Sequence, residues 1–236
     1  MNIETMEPKK TKRTRVKPEP LPKLYNESAY SYEIGIDEAG RGPLFGRVYV
    51  AGVVLPKTMD TTEIRDSKKL SAKKLQASFE YIKQEALAYH VAFIEAEEID
   101  RINIREAVMK AMHICAGKCI EMLENAPKEE NKEDYFLCVD GNDFPPYYYK
   151  NRRISWQTFT SGDNRFAHIA AASILAKVSR DNYILDLCKE RPSLSEIYGM
   201  DKHKGYGTKQ HIEAIRNHGI VEGHRVTFRK GNQGSP

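Results

Sequence analysis

Four carboxylates stand where short β-branched runs give way to turns. Asp37 and Glu38 lie in "GIDEAGRG" (35–42), Asp140 opens "DGND" (140–143), and Asp163 closes "SGD" (161–163). Acids converging on one point repel each other and shift their own ionisation unless cations intervene. Hard divalent ions, which take oxygen ligands, are the natural partners of such a set. Each acid also has a quieter reading: Asp163 as the cap of a following helix, Asp140 before Gly141 as a turn residue, Asp37 and Glu38 as turn polar groups. "GIDEAGRG" resembles a phosphate loop only superficially, because Arg41-Gly42 stands where Lys-Ser/Thr is needed and two acids occupy the cradle. A calcium loop starting at Asp140 is set aside because the required glycine and terminal Glu are missing.

Whether these acids meet depends on the elements that carry them. "YEIGID" (32–37) and "RVYVAGVVLP" (47–56) read as strands joined in a hairpin, the second closed by Pro56. "DSKKLS" (66–71) forms a loop leading into an amphipathic helix over about 72–88, with Ser71 as N-cap. "YHVAFIEA" (89–96) is a third strand, and residues 105–126 have helical periodicity. "DYFLCVDGND" (134–143) and "ISWQTFTSGD" (154–163) read as strands running into acidic turns, and an alanine-rich helix covers 167–190. Another helix begins near Thr208. The pattern is α/β, a mixed sheet with a helical C-terminal region. It puts Asp37 and Glu38 at the end of the first strand, Asp140 at the end of the fourth and Asp163 at the end of the fifth, where α/β folds build sites.

Composition bounds the partners. A chain of 236 residues that is 40% hydrophobic can bury one good-sized core. No apolar run reaches the roughly 18 residues of a membrane span, and the first twenty residues lack the apolar middle of a secretory signal, so a soluble, cytoplasmic protein is expected. The four cysteines are spaced for neither a disulfide framework nor a paired Cys-x-x-Cys zinc site; buried free thiols are expected. The net charge of +4 is uneven, since residues 1–23 and 199–230 each hold seven Lys/Arg against three Asp/Glu. Basic ends flanking an acidic middle fit a nuclease-like arrangement, carboxylates for metal and basic edges for a polyanion. Residues 1–23 are expected to form a disordered tail, ahead of a single globular domain over 24–236.

"GIDEAGRGPL", "DSKKLS", "VDG", "IAAASILAKVSRD" and "KGYGTKQH" followed by "HRVTF" occur in the order seen in ribonuclease HII, the type 2 ribonuclease H family, which this chain resembles from about residue 33 to 228. The resemblance implies a ribonuclease H-like fold, a five-stranded mixed sheet flanked by helices, with a C-terminal helical region. It implies a metal-dependent endonuclease acting on RNA/DNA hybrids and on ribonucleotides embedded in duplex DNA. Asp37, Glu38, Asp140 and Asp163 match its four-carboxylate catalytic site, with Asp37, Glu38 and Asp140 as direct metal ligands. Two ions, Mg²⁺ or Mn²⁺, about 3.5–4 Å apart, suit in-line phosphodiester hydrolysis. Gly40, Arg41 and Gly42 match the motif whose backbone approaches the scissile phosphate and the ribose 2′-hydroxyl, and Tyr206 matches a tyrosine that senses the junction.

The remaining polar signals read as structural. Lys177 and Asp181 have the spacing of a helical ion pair. The four histidines between 203 and 224 do not share one helical face and are read as phosphate-edge contacts or packing, while His224-Arg225 has no evident role. Rivals are a type HIII ribonuclease H, which would bring an additional N-terminal substrate-binding domain, and a non-catalytic nucleic-acid-binding protein. A monomer is the default, and no clamp-binding peptide is evident in "RKGNQGSP".

Overall fold

In the computed structural model, which describes residues 19–26, 29–65, 67–126 and 134–231, the strand β1 (Tyr32–Ala39) pairs antiparallel with β2 (Val48–Val54), as the hairpin reading expects. All seven residues of β2 are buried, because helices cover both faces of the sheet there. The helix α1 (Ala72–Glu85) starts at Ser71, whose side chain accepts from the Lys74 N–H. Then follow β3 (Ala88–Ile94), α2 (Ala96–Ile102), α3 (Ile104–Asn125), β4 (Tyr135–Asp140), β5 (Tyr147–Tyr149) and β6 (Arg152–Phe159). The long helix α4 (Ala167–Glu190) leads to the short α5 (Ser193–Glu196) and α6 (Met200–His203) and then to α7 (Lys209–His218).

The sheet has six strands rather than five, in the order β3-β2-β1-β4-β6-β5. β1–β4 and β4–β6 are parallel and the other pairs antiparallel, so the sheet is mixed as expected. The extra strand, β5, is too short to show periodicity. It is turned onto β6 by Lys150 and Asn151, both at positive φ, as a two-residue hairpin turn requires. The helix α2 was likewise absent from the sequence reading. Its seven residues are separated from α3 by Asn103, whose φ of 69° breaks the helix and whose side chain caps the Glu106 N–H at 3.1 Å.

Alternation along the central strands sorts the core into two layers. Ile34, Ile36, Val48 and Val50 face α3, packing with Val108, Met112 and Cys115. Ala51 and Val53 face α4 and α1, packing with Ala171, Ile174, Leu175 and Ile82. A third cluster, Phe45 with Ile184, Leu194, Tyr198 and Met200, ties the C-terminal helices to the loop after β1. All four cysteines are buried and free. No described helix is long and apolar enough to cross a membrane.

Residues 1–18 of the basic tail lie outside the described residues. Its last five residues are bonded to the body: the Ala167 N–H donates to the Pro22 carbonyl at 2.8 Å, and Arg65 donates to the Glu19 carbonyl at 3.0 Å. The disordered reading therefore fails for residues 19–23, whose Leu21 packs against the α4-side core.

Gly35 lets α4 lie on β1. A Cβ there would stand 2.4 Å from the backbone carbon of His168. Gly35→Ala is expected to destabilise the fold by about 3 kcal/mol or more, read as a fall in the urea midpoint. Gly117→Ala, whose close contact is a side-chain atom, the Tyr147 hydroxyl at 2.7 Å, and not backbone, should be milder.

Candidate active site

The register of the sheet brings the acids together. Ile36 stands opposite Val139 on the parallel pair β1–β4, so Asp37 and Asp140 leave the two strands side by side. Glu38 follows Asp37, and Asp163 comes from the 3₁₀ turn Gly162–Asn164 between β6 and α4. All four line one cleft of about 420 Å³, together with Gly40, Arg41, Gly42 and Tyr206. Asp163 does not cap α4: the helix begins with Phe166 at its N-cap and no side-chain bond there. Asp163 is instead 5% exposed, accepts from the Asn164 side chain at 3.0 Å and lies 3.9 Å from the Lys68 ammonium. Asp143, its neighbour in the acidic turn, is paired with Arg105 at 2.6 Å, and the cleft lining does not include it.

Burial pushes the Asp37 carboxyl well above the usual carboxylate range, and the nearby Asp140 and Glu38 push it further. The Ser173 hydroxyl and the Glu38 N–H, at 2.7 Å from Oδ1, oppose that rise without cancelling it. Glu38 is also raised, first by burial, against the pull of Arg41 at 3.4 Å. Asp140 accepts from the Gly162 N–H at 2.6 Å, which fixes the acidic turn against the 3₁₀ segment. The donors are carboxylate and hydroxyl oxygens, and the charge of Asp140 raises both Asp37 and Glu38; both features fit hard divalent cations. Two further side chains, Ser67 and Lys68, enter the cleft from "DSKKLS", with Ser67 Oγ 3.2 Å from Ser173 Oγ. That motif marks them in the sequence, but its residues gave no role. Lys177 also lines the cleft and pairs with Asp181, as its spacing predicts.

The backbone of the glycine loop is held from behind by two buried guanidinium groups. Arg225 donates to the carbonyls of Gly40, Arg41, Pro43 and Gly46, at 2.8–3.1 Å. Arg180 donates to the carbonyls of Phe45, Arg47 and Lys204. Burial pulls Arg225 down to about 9, yet four charge-assisted bonds to carbonyls hold the protonated form. Gly40, at φ +92°, is required twice over, since an added Cβ would also lie 2.1 Å from Arg180 Nε. Sequence reasoning left Arg225 without a role because its partners are all main-chain oxygens some 180 residues away.

Of the four histidines, His211 and His224 are buried, His203 is half-buried and His218 is exposed. The Val221 N–H donates to His224 Nδ1 at 3.0 Å, His224 Nε2 meets His211 Nε2 at 3.1 Å, and His211 Nδ1 reaches the Tyr206 carbonyl at 2.9 Å. The Tyr206 carbonyl can only accept, so His211 Nδ1 carries a proton, while His224 Nδ1 lies 3.0 Å from both the N–H and the carbonyl of Val221. Burial keeps His211 neutral, pushing it down to about 4. The relay fixes the turn that presents Tyr206, 46% exposed, at the cleft edge beside Gly42.

The profile of the family described as Ribonuclease HII matches residues 34–231. A Ribonuclease HII of Neisseria gonorrhoeae (strain ATCC 700825 / FA 1090) is 43% identical over 194 residues, covering 82% of this chain and 90% of that relative. Among solved structures, the ribonuclease H2 from Pyrococcus horikoshii OT3 superposes with a TM-score of 0.63 at 20% identity, over 84% of this chain and 96% of that one. Bst-RNase HIII in complex with Mn²⁺ gives 0.56 at 18% identity, over 85% and 68%. The two structures speak to the fold, which is ribonuclease H-like.

A raised carboxyl destabilises the folded chain once pH exceeds the unfolded carboxylate value near 4, with the full cost present above the raised folded value. In chelator, Asp37→Asn should therefore melt higher than wild type at neutral pH, with the gap closing towards pH 4. Equal melting temperatures throughout would contradict the buried-charge reading. Arg225→Lys keeps the charge but not the fork. Hydrogen exchange at residues 40–47 should accelerate at least about tenfold, a local loss of about 1.4 kcal/mol or more.

Proposed function

The chain belongs to the ribonuclease HII family, a metal-dependent endoribonuclease of the ribonuclease H class, and from that premise we propose that its carboxylate cleft incises duplex DNA on the 5′ side of embedded ribonucleotides as well as cutting RNA/DNA hybrids. The observation that carries this reading is the shared cleft: four acids, the Gly40–Gly42 backbone and Tyr206 line one cavity. Asp37, Glu38 and Asp140 would hold two divalent ions, Mg²⁺ or Mn²⁺, and Asp163 completes the acidic set. Held by these residues, such ions would supply Lewis-acid activation of a water and charge neutralisation at the departing 3′ oxygen.

The chain's own residues supply the rest. Gly40 and Gly42 allow the loop backbone to approach the phosphate and the 2′-hydroxyl, the group that separates RNA from DNA. Arg225 and Arg180 keep that backbone at a fixed height by holding its carbonyls. The Tyr206 ring, beside Gly42 and 5.7 Å from the Arg180 guanidinium, is placed to pack on the sugar past the junction. Arg41 and Lys68 are cations at the lip for neighbouring phosphates. The products carry a 5′ phosphate and a 3′ hydroxyl.

The test is an end-labelled DNA duplex with one ribonucleotide, incubated with Mg²⁺ or Mn²⁺ and a chelator control. A single chelator-sensitive cut 5′ of the ribonucleotide is expected, reduced at least about 100-fold by Asp140→Asn with substrate binding retained. Tyr206→Ala should slow this cut more than it slows cleavage of a long hybrid. Equal slowing of both would remove the junction role of Tyr206, and an active Asp140→Asn variant would remove the metal assignment.

A further inference from the structure

A second cluster of metal-ligating groups lies on the same face of the sheet as the acids. Glu33 precedes Asp37 by four residues on β1, roughly 13 Å along the strand. Its Oε2 is 3.7 Å from Cys138 Sγ on β4 and 3.5 Å from His168 Nε2 in the first turn of α4. Ligand atoms of the three residues all lie within 4.8 Å of one another. Glu33 is 2% exposed and the other two are fully buried. The Lys23 backbone adjoins the His168 ring, yet neither ring nitrogen makes a well-formed hydrogen bond. A fully buried imidazole whose nitrogens make no well-formed hydrogen bond is costly unless something else takes its lone pair.

We propose that Glu33, Cys138 and His168 form a buried structural site for one Zn²⁺, separate from the divalent ions of the carboxylate cleft. Zinc–ligand lengths of about 2.0–2.3 Å put the edges of a tetrahedral site at about 3.3–3.8 Å. Both distances from Glu33 Oε2 fall in that range. A sulfur–nitrogen–oxygen donor set selects zinc over magnesium or manganese, which prefer oxygen alone. Charge favours the same occupant. On binding, the Cys138 S–H bond breaks and its proton leaves to solvent while the Zn–S bond forms; the imidazole and the carboxylate contribute lone pairs. With Glu33 ionised, the buried site passes from a net charge of −1 to zero. The three side chains supply three of the four positions that zinc takes.

The site would join parts of the chain that are far apart in sequence. The Glu33 carboxylate accepts from the Tyr25 and Asn26 N–H groups, both at 2.6 Å, so the segment before β1, the strands β1 and β4 and the start of α4 meet at one ion.

The test uses the full chain carrying Asp37→Asn and Asp140→Asn, so that the cleft does not compete. Co²⁺ added to the metal-free, reduced protein should give one equivalent with a thiolate-to-cobalt charge-transfer band in the near ultraviolet. Zn²⁺ should displace it, and Mg²⁺ should not. Zn²⁺ at about 100 times Kd should raise Tm by about 5–10 °C. Cys138→Ser and His168→Gln should each lose both effects, while Cys188→Ser keeps them. Absence of the band and of the zinc shift in the parent protein, or a band that survives Cys138→Ser, would overturn the proposal. These readouts are independent of cleavage, so they can fail while the ribonuclease reading stands.

Discussion

The close approach of α4 to β1 is the contact on which the rest of the molecule depends. It is possible because Gly35 has no side chain where the His168 backbone passes, and because α4 is built of small buried residues, with alanines at 167, 170, 171, 172 and 176. From that point the two elements keep pace. Gly35 to Gly40 is roughly 16 Å of strand, and His168 to Arg180 is roughly 18 Å of helix. Contacts therefore recur in step along the pair: His168 against Gly35, Ser173 on Asp37, Arg180 beside Gly40. A shift of α4 by one turn would misplace the Ser173 hydroxyl and the Arg180 guanidinium together.

The same arrangement separates the charges by purpose. The acids face the cleft, where burial and mutual repulsion raise Asp37 and Glu38 and leave them in need of cations from solvent. The two buried arginines lie behind the loop and bond to its main-chain oxygens. Had those guanidinium groups reached the carboxylates instead, the acids would be neutralised within the protein and a metal would gain little by binding. Arg225 and Arg180 thus stiffen the loop without neutralising the acids, whose neighbouring cations Arg41 and Lys68 stand at the exposed rim. A buried cation bonded only to carbonyls is an uncommon solution, and four acceptors at hydrogen-bond distance make it tolerable here.

Much of this was legible in the sequence, and the boundary has physical causes. β1, β2, β4 and α4 declare themselves by period and composition, and the acids follow at their ends. Arg225 was visible within a motif without a meaning, because its partners are carbonyl groups that every residue possesses. β5 and α2 fall below the length at which periodicity separates from chance. Residues 19–23 read as tail by composition, yet they are held by main-chain bonds whose other ends lie at Arg65 and Ala167. Glu33, Cys138 and His168 belong to three different elements, and no spacing rule links them.

β1 gathers these tasks on one face at two-residue intervals. Glu33 holds the incoming segment, Gly35 admits the helix, and Asp37 enters the cleft. The strand has the helix close to one face and the α3-side core on the other, so its residues cannot exchange roles by slipping in register: a shift of one would turn Asp37 into the apolar layer and bring Ile36 to the acids. The stability of the distal end, where Glu33 meets Cys138 and His168, therefore bears on the cleft through backbone register and not through any direct contact.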